Sequence, residues 1–174
     1  RAPFLSFFYN EIIAGGIGFI AQEEGEMAMV SPFMIDSDNP LYMVSDVFNA
    51  ILVRGNMLGD SMYYGRGAGK LPTASAVVAD VIDCVKNAGK NIVTLWDAEE
   101  AKVADLAEVE RSFFLRVSAS ALEAVKSAFP GGEEIVVEGR EDAAYVTAPV
   151  KEKDFAAKCE MLGDVVLSKI RMGE

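Results

Sequence analysis

Apolar residues recur along this chain with two different periods, and the change between them marks its organisation. From Leu71 the positions Leu71, Ala74, Val77, Val78, Val81, Ile82 and Val85 fall three and four apart, one face of an amphipathic helix. The pattern predicts a helix from Pro72 to about Asn87, with Gly89 as its C-cap. Pro72 suits the first helical turn, where a missing N–H costs nothing. Upstream the apolar runs are shorter. GIGFIAQ and EMAMVSPFMI predict two strands joined by a turn at Glu23, Glu24 and Gly25, and NAILVRG (Asn49–Gly55) and SMYYG (Ser61–Gly65) predict a hairpin across GNMLGD. A further helix is expected around Phe4–Ile13 and a loop at DSDNP (Asp36–Pro40), while LYMVSDVF fits neither period.

The segment DAEEAKVADLAEVER (Asp97–Arg111) breaks this pattern with six carboxylates and reads as a solvated connector or short helix. Beyond it the order is strand FFLRVSA, helix SALEAVKSAF, turn PGG, strand EEIVVEGR, strand AAYVTAPV, helix KEKDFAAKCEMLG and strand VVLSKIRM. That is βαββαβ, a ferredoxin-like two-layer unit. Leu122, Val125 and Phe129 in one helix, and Phe155, Cys159 and Leu162 in the other, supply the faces that would pack on its sheet. The fold class expected is therefore α+β: a mixed sheet with helices, then a βαββαβ domain. The expected division is 1–96, an acidic linker at 97–111, and 112–174.

Composition narrows the function. The chain has 174 residues, 51% of them hydrophobic, enough for a substantial core. With 16 basic against 27 acidic residues and a formal charge of −11, it lacks the basic footprint that nucleic acid or an anionic membrane surface needs. There is no histidine, which removes Ser-His-Asp and Cys-His catalysis and the commonest ligand of catalytic zinc, so no metal site is expected. The two cysteines, Cys84 and Cys159, are too few for a disulfide framework, lie on apolar-periodic stretches and read as small buried hydrophobes. A reducing, cytoplasmic setting is the default. FLSFFYNEIIAGGIGFIA (Phe4–Ala21) carries Asn10 and Glu11 near its middle and a Gly15-Gly16 break, which argues against a spanning helix.

The stretch with most chemical promise is YGRGAGKLPTAS (Tyr64–Ser75). A phosphate-binding P-loop needs G-x-x-x-x-G-K-S/T; here Gly69-Lys70 is followed by Leu71, and the first glycine position holds Tyr64. The dinucleotide fingerprint G-x-G-x-x-G also fails, because Gly69 comes one residue too soon after Gly65 and Gly67. The underlying physics survives both exclusions. Glycines admit close approach of a ligand to the main chain, and a helix start offers N–H groups and a positive dipole end. A tight strand-to-helix crossing without a ligand is the alternative.

VFNAILVRGNMLGDSMYYGRGAGKLPTASAVVADVID (Val47–Asp83) resembles the C-terminal part of the catalytic region of bacterial homoserine dehydrogenases. Upstream, MVSPFMIDSDNPLYMVSDVFNA is similar to the same family, with Asn39 where a histidine is usual, so the resemblance covers residues 17–88. It implies NAD(P)-dependent interconversion of L-homoserine and L-aspartate 4-semialdehyde. It also implies main-chain contacts to the cofactor from Gly67, Ala68 and Gly69. Arg66 and Lys70, the basic residues near that loop, read as solvated turn residues, with an anion contact as the alternative. A mixed sheet built from MVSPFMI, NAILVRG and SMYYG would line the substrate cleft and a homodimer interface. No catalytic residue is expected in this chain: the family's Rossmann domain and its lysine and carboxylate segment have no counterpart here, so the chain is expected to be inactive alone. The last part is similar to the ACT module that many members append, although SASALEAV (Ser118–Val125) stands where amino-acid-binding modules carry a D-x-P-G-V-L-like segment. A non-catalytic regulatory or dimerisation module is the alternative.

Overall fold

The computed structural model describes residues 13–22, 25–91, 98, 103–136 and 139–173. The helix expected at Phe4–Ile13 and the turn residues Glu23 and Glu24 lie outside the described residues, except Ile13, which opens a strand. The element order is β1 (Ile13–Gln22), β2 (Gly25–Met34), β3 (Phe48–Gly55), β4 (Gly59–Arg66), α1 (Lys70–Lys86), β5 (Glu110–Arg111), β6 (Phe113–Ser118), α2 (Leu122–Ala128), β7 (Glu133–Ile135), β8 (Asp142–Val146), β9 (Val150–Lys151), α3 (Glu152–Leu162) and β10 (Val166–Met172). Two compact units result, one of residues 1–39 with 101–174 and one of residues 40–100. The units thus cut across the linear order, grouping the first strands with the C-terminal module.

The first unit is built on a six-stranded sheet in the order β1-β2-β10-β6-β8-β7. Within it β10-β6-β8-β7 is the fourth-first-third-second order of a βαββαβ unit, every neighbour antiparallel. Alternation along FFLRVS explains its two apolar layers. Phe113, Leu115 and Val117 project to the helices and join Val125, Phe129, Tyr145, Phe155 and Cys159 in one core. Phe114 projects the other way, with Met34, Ala144 and Ile170. Phe113 and Phe155 stack with ring centroids 3.5 Å apart. Each such side chain contributes about 1.5–3 kcal/mol on burial. The buried Tyr145 hydroxyl donates to the Phe129 carbonyl (2.6 Å) and accepts from the Gly132 amide (3.0 Å), so it pins the PGG turn to the sheet. Gly132 is required there, since a Cβ would lie 2.3 Å from the Val146 carbonyl oxygen.

The β1–β2 hairpin joins this sheet through β2, which runs parallel to β10 over Arg171↔Phe33 and Met172↔Met34 and makes the sheet mixed. The Gly173 amide donates to the Met34 carbonyl at 2.7 Å. A charged clasp reinforces the seam. Arg171 donates from Nε and Nη2 to the two carboxylate oxygens of Glu152 (2.6 and 2.8 Å) and from Nη1 to Ser31 Oγ (2.7 Å), while Arg111 Nε lies 3.0 Å from the same carboxylate.

The second unit holds the β3–β4 hairpin, antiparallel from Phe48↔Arg66 to Gly55↔Gly59, and helix α1. Three expectations need correction. MVSPFMI does not share a sheet with NAILVRG and SMYYG: β2 pairs with β1 and β10, and β3 and β4 form a two-stranded sheet of their own. Helix α1 starts at Lys70 rather than Pro72 and is capped at Asn87 rather than Gly89, because Asn87 satisfies the Asp83 carbonyl with both its backbone and its side-chain amide. Cys84 is exposed, since α1 buries no residue; Cys159 is buried, and burial pushes its thiol up from the ordinary range.

Candidate functional site

The hairpin register determines what surrounds the glycine loop. Side chains alternate across β3, so Phe48, Ala50 and Leu52 are half-buried while Asn49, Ile51 and Val53 are exposed. On the half-buried face Phe48 stacks on Tyr64 (4.9 Å between centroids, 5° between planes), and the Arg66 guanidinium lies 4.9 Å from the Phe48 ring centroid. Arg66, expected as a solvated turn residue, is exposed and its cation lies over the Phe48 ring.

The other face of β4 carries Tyr63 and then, toward the helix, only glycine. Gly65 pairs with Asn49, and Gly67 follows two residues on, so both glycines look to the side that Asn49 occupies. Nothing lies within 4 Å of where a Cβ would stand at Gly65. At Gly67 a Cβ would fall 1.6 Å from Asn49 Nδ2 and 2.9 Å from its Cγ: the carboxamide occupies the space the glycine leaves.

Gly69 has φ 124° and is the N-cap of α1, with the Thr73 amide donating to its carbonyl at 3.1 Å. An L-residue is strained at that angle, which accounts for the third glycine. No side chain caps the helix, its first turn carries no acidic residue, and Lys70 opens it. Lys70 is exposed, as expected of a turn residue, but it adds positive charge to the positive end of the helix dipole, the reverse of the usual arrangement. This end of α1 is chemically suited to an electron-rich group, a carbonyl oxygen or an anion, approaching amides at the helix start that no side chain caps. Gly67, Ala68 and Gly69 are consecutive and exposed there, with the Asn49 carboxamide beside Gly67.

Charged pairs elsewhere are structural. Arg140 and Arg116 flank Asp142, and the bond from Arg140 in particular holds that carboxyl below its ordinary range. Lys153 and then Lys151 lower Glu108 in the same way. Among the described residues no group of three or more Cys, Asp and Glu could hold a metal ion, and no helix is long and apolar enough to cross a membrane. Asn49 escaped the sequence reading. The signal that could have found it is the register: pairing Gly55 with Gly59 sets Asn49 opposite Gly65.

Comparison with known proteins falls on the same stretch. Residues 13–82 match the family model for homoserine dehydrogenase. Homoserine dehydrogenase of Synechocystis is 57% identical over 56 residues, 32% of this chain and 13% of that protein. The Helicobacter pylori enzyme is 33% identical over 91 residues, 52% of this chain and 22% of that protein. Among solved structures, the homoserine dehydrogenase of Thiobacillus denitrificans superposes with a TM-score of 0.71 at 24% identity, over 94% of this chain and 43% of that one. That of Staphylococcus aureus gives 0.65 at 25%, over 94% and 42%. The chain therefore spans under a quarter of the length of these curated relatives and under half of these solved chains. The resemblance read in the sequence holds: residues 13–82 match the homoserine dehydrogenase family model, and the likeness to these solved α+β structures extends over 94% of the chain.

Proposed function

We propose that this chain is the part of a homoserine dehydrogenase that completes the cofactor site, in an NAD(P)-dependent oxidoreductase interconverting L-homoserine and L-aspartate 4-semialdehyde for threonine and methionine biosynthesis. The observation that carries this reading is the uncapped start of α1. There Gly69 at φ 124°, with Ala68 before it, presents main chain that no side chain caps, inside the stretch that matches the family. When bound, the cofactor exchanges a hydride with the substrate's reacting carbon. The role of Gly67, Ala68 and Gly69 is to hold its nicotinamide side by main-chain contacts, and the positive end of α1 favours an electron-rich group there. The groups that bind substrate and move protons lie outside this chain, in polypeptide that also covers the exposed apolar face of α1. A second copy covers the β3–β4 hairpin in a homodimer, and the whole enzyme works in the cytoplasm without nucleic acid or membrane.

Assay of the purified 174-residue chain tests this division of labour. No NAD(P)-linked homoserine turnover is expected, and measurable turnover would place catalytic groups within these residues and overturn the proposal.

A second reading concerns the C-terminal module. Its fourth-first-third-second strand order and closed core favour an ACT-like regulatory domain able to act apart from the chemistry. Calorimetry of the chain with threonine and with methionine is the check: heat of binding supports a sensor, and none leaves the module a structural role only.

A further inference from the structure

We infer that Asn49 is a positioning residue for the glycine loop. Its carboxamide lies over the backbone at Gly67 and holds Ala68 and Gly69 in the conformation that starts α1. Three features place it there. Asn49 pairs with Gly65, so its side chain rises on the face that Gly65 and Gly67 leave empty. Its Nδ2 stands where a Gly67 Cβ would be, at 1.6 Å, and the three atoms nearest that position all belong to Asn49. Gly67 is also not among the residues with positive φ, so the backbone there tolerates an L-residue and the glycine is needed for space alone. The glycine at 67 is thereby explained as space for one side chain, whereas a Cβ at Gly65 would meet nothing within 4 Å. The third glycine answers a different need, the left-handed φ at the helix N-cap.

The relation is reciprocal. A methyl group at Gly67 must evict the Asn49 carboxamide, which can swing away because it is the free end of an exposed side chain. Gly67→Ala and Asn49→Ala therefore remove the same contact, and combining them removes nothing more. A role for this loop in binding the cofactor rests on the function proposed above, but the positioning of the loop does not.

The test uses backbone NMR relaxation on the 174-residue chain, with the amides of Gly131 and Gly132 as a control that the remainder stays folded. In the unsubstituted chain the amides of Ala68 and Gly69 are expected at order parameters of about 0.85, falling below about 0.6 in Asn49→Ala, in Gly67→Ala and, to the same extent, in the double variant. Asn49→Asp, which keeps a planar head of the same size, should retain the order. An unchanged loop in Asn49→Ala, or losses that add in the double variant, would overturn the inference. A companion measurement in the complete enzyme of the proposed function separates the two readings: Asn49→Ala should raise the KM for NAD(P)H about tenfold with a smaller change in kcat. A loosened loop with unchanged cofactor KM upholds the positioning role and sinks the cofactor reading. A raised KM with an unchanged loop does the opposite.

Discussion

The hairpin–helix unit and the C-terminal module dispose of similar apolar residues in opposite ways. In α3 and α2 the periodic positions end in a core: Val125 is 0% exposed, Phe155 4% and Cys159 6%. In α1 the same three- and four-residue spacing leads to solvent, with Val81 57% exposed and Leu71 79%, and not one residue buried. The hairpin follows α1, with Ile51 and Tyr63 more than half exposed. Periodicity says that a helix has an apolar face; it does not say whether the chain in hand covers it. Here one region satisfies its own faces and the other offers them.

Substitutions that treat the two regions alike should expose the difference. Phe113→Ala, which removes a fully buried ring stacked on Phe155, should cost about 3–5 kcal/mol in denaturant melts of the chain. Val81→Ala should stay within about 0.5 kcal/mol. Comparable losses at both positions would mean that α1 is buried after all. Next in size is the clasp that ties the N-terminal hairpin to β10. Glu152→Ala leaves Arg111 and Arg171 facing each other without their shared carboxylate and should cost about 2 kcal/mol, with fraying of β1–β2 visible by hydrogen exchange.

The smallest effect is acid sensitivity, confined to the module. Asp142 and Glu108 are held below their ordinary range by Arg140 and by Lys153 and Lys151, so the folded state binds their protons less readily than the unfolded one. Their contribution is present above the unfolded carboxylate range, near pH 4, and is lost as pH falls through the lower folded values. Asp142→Asn should flatten the acid limb of the module's melting curve and leave the neutral region nearly parallel. An unchanged acid limb would remove Asp142 from the account.

How much of this was legible in the sequence follows the same divide. The βαββαβ order could be read because each element of the module closes on its neighbours within about sixty residues, so alternation at Phe113–Val117 and periodicity at Val125 and Phe155 have local partners. The fate of β2 could not. MVSPFMI alternates like any half-buried strand, and nothing local indicates that, besides its hairpin partner β1, it will pair with residues 171 and 172 rather than with the NAILVRG–SMYYG hairpin that follows it. Cys84 was misjudged for a related reason: an apolar helical face implies burial only when something lies across from it. The candidate loop was half legible. Its glycines were evident, but the space at Gly67 belongs to Asn49, eighteen positions earlier, and only the hairpin register connects them.

The central claim is that the start of α1 presents its main chain to a cofactor. Gly69→Ala in the complete enzyme of the proposed function tests it most directly, because φ 124° strains any L-residue at that point and shifts the amides that follow. The KM for NAD(P)H should rise at least about tenfold, roughly 1.4 kcal/mol, while the melting of the C-terminal module stays unchanged. A folded Gly69→Ala enzyme with the cofactor KM of the parent would contradict the claim.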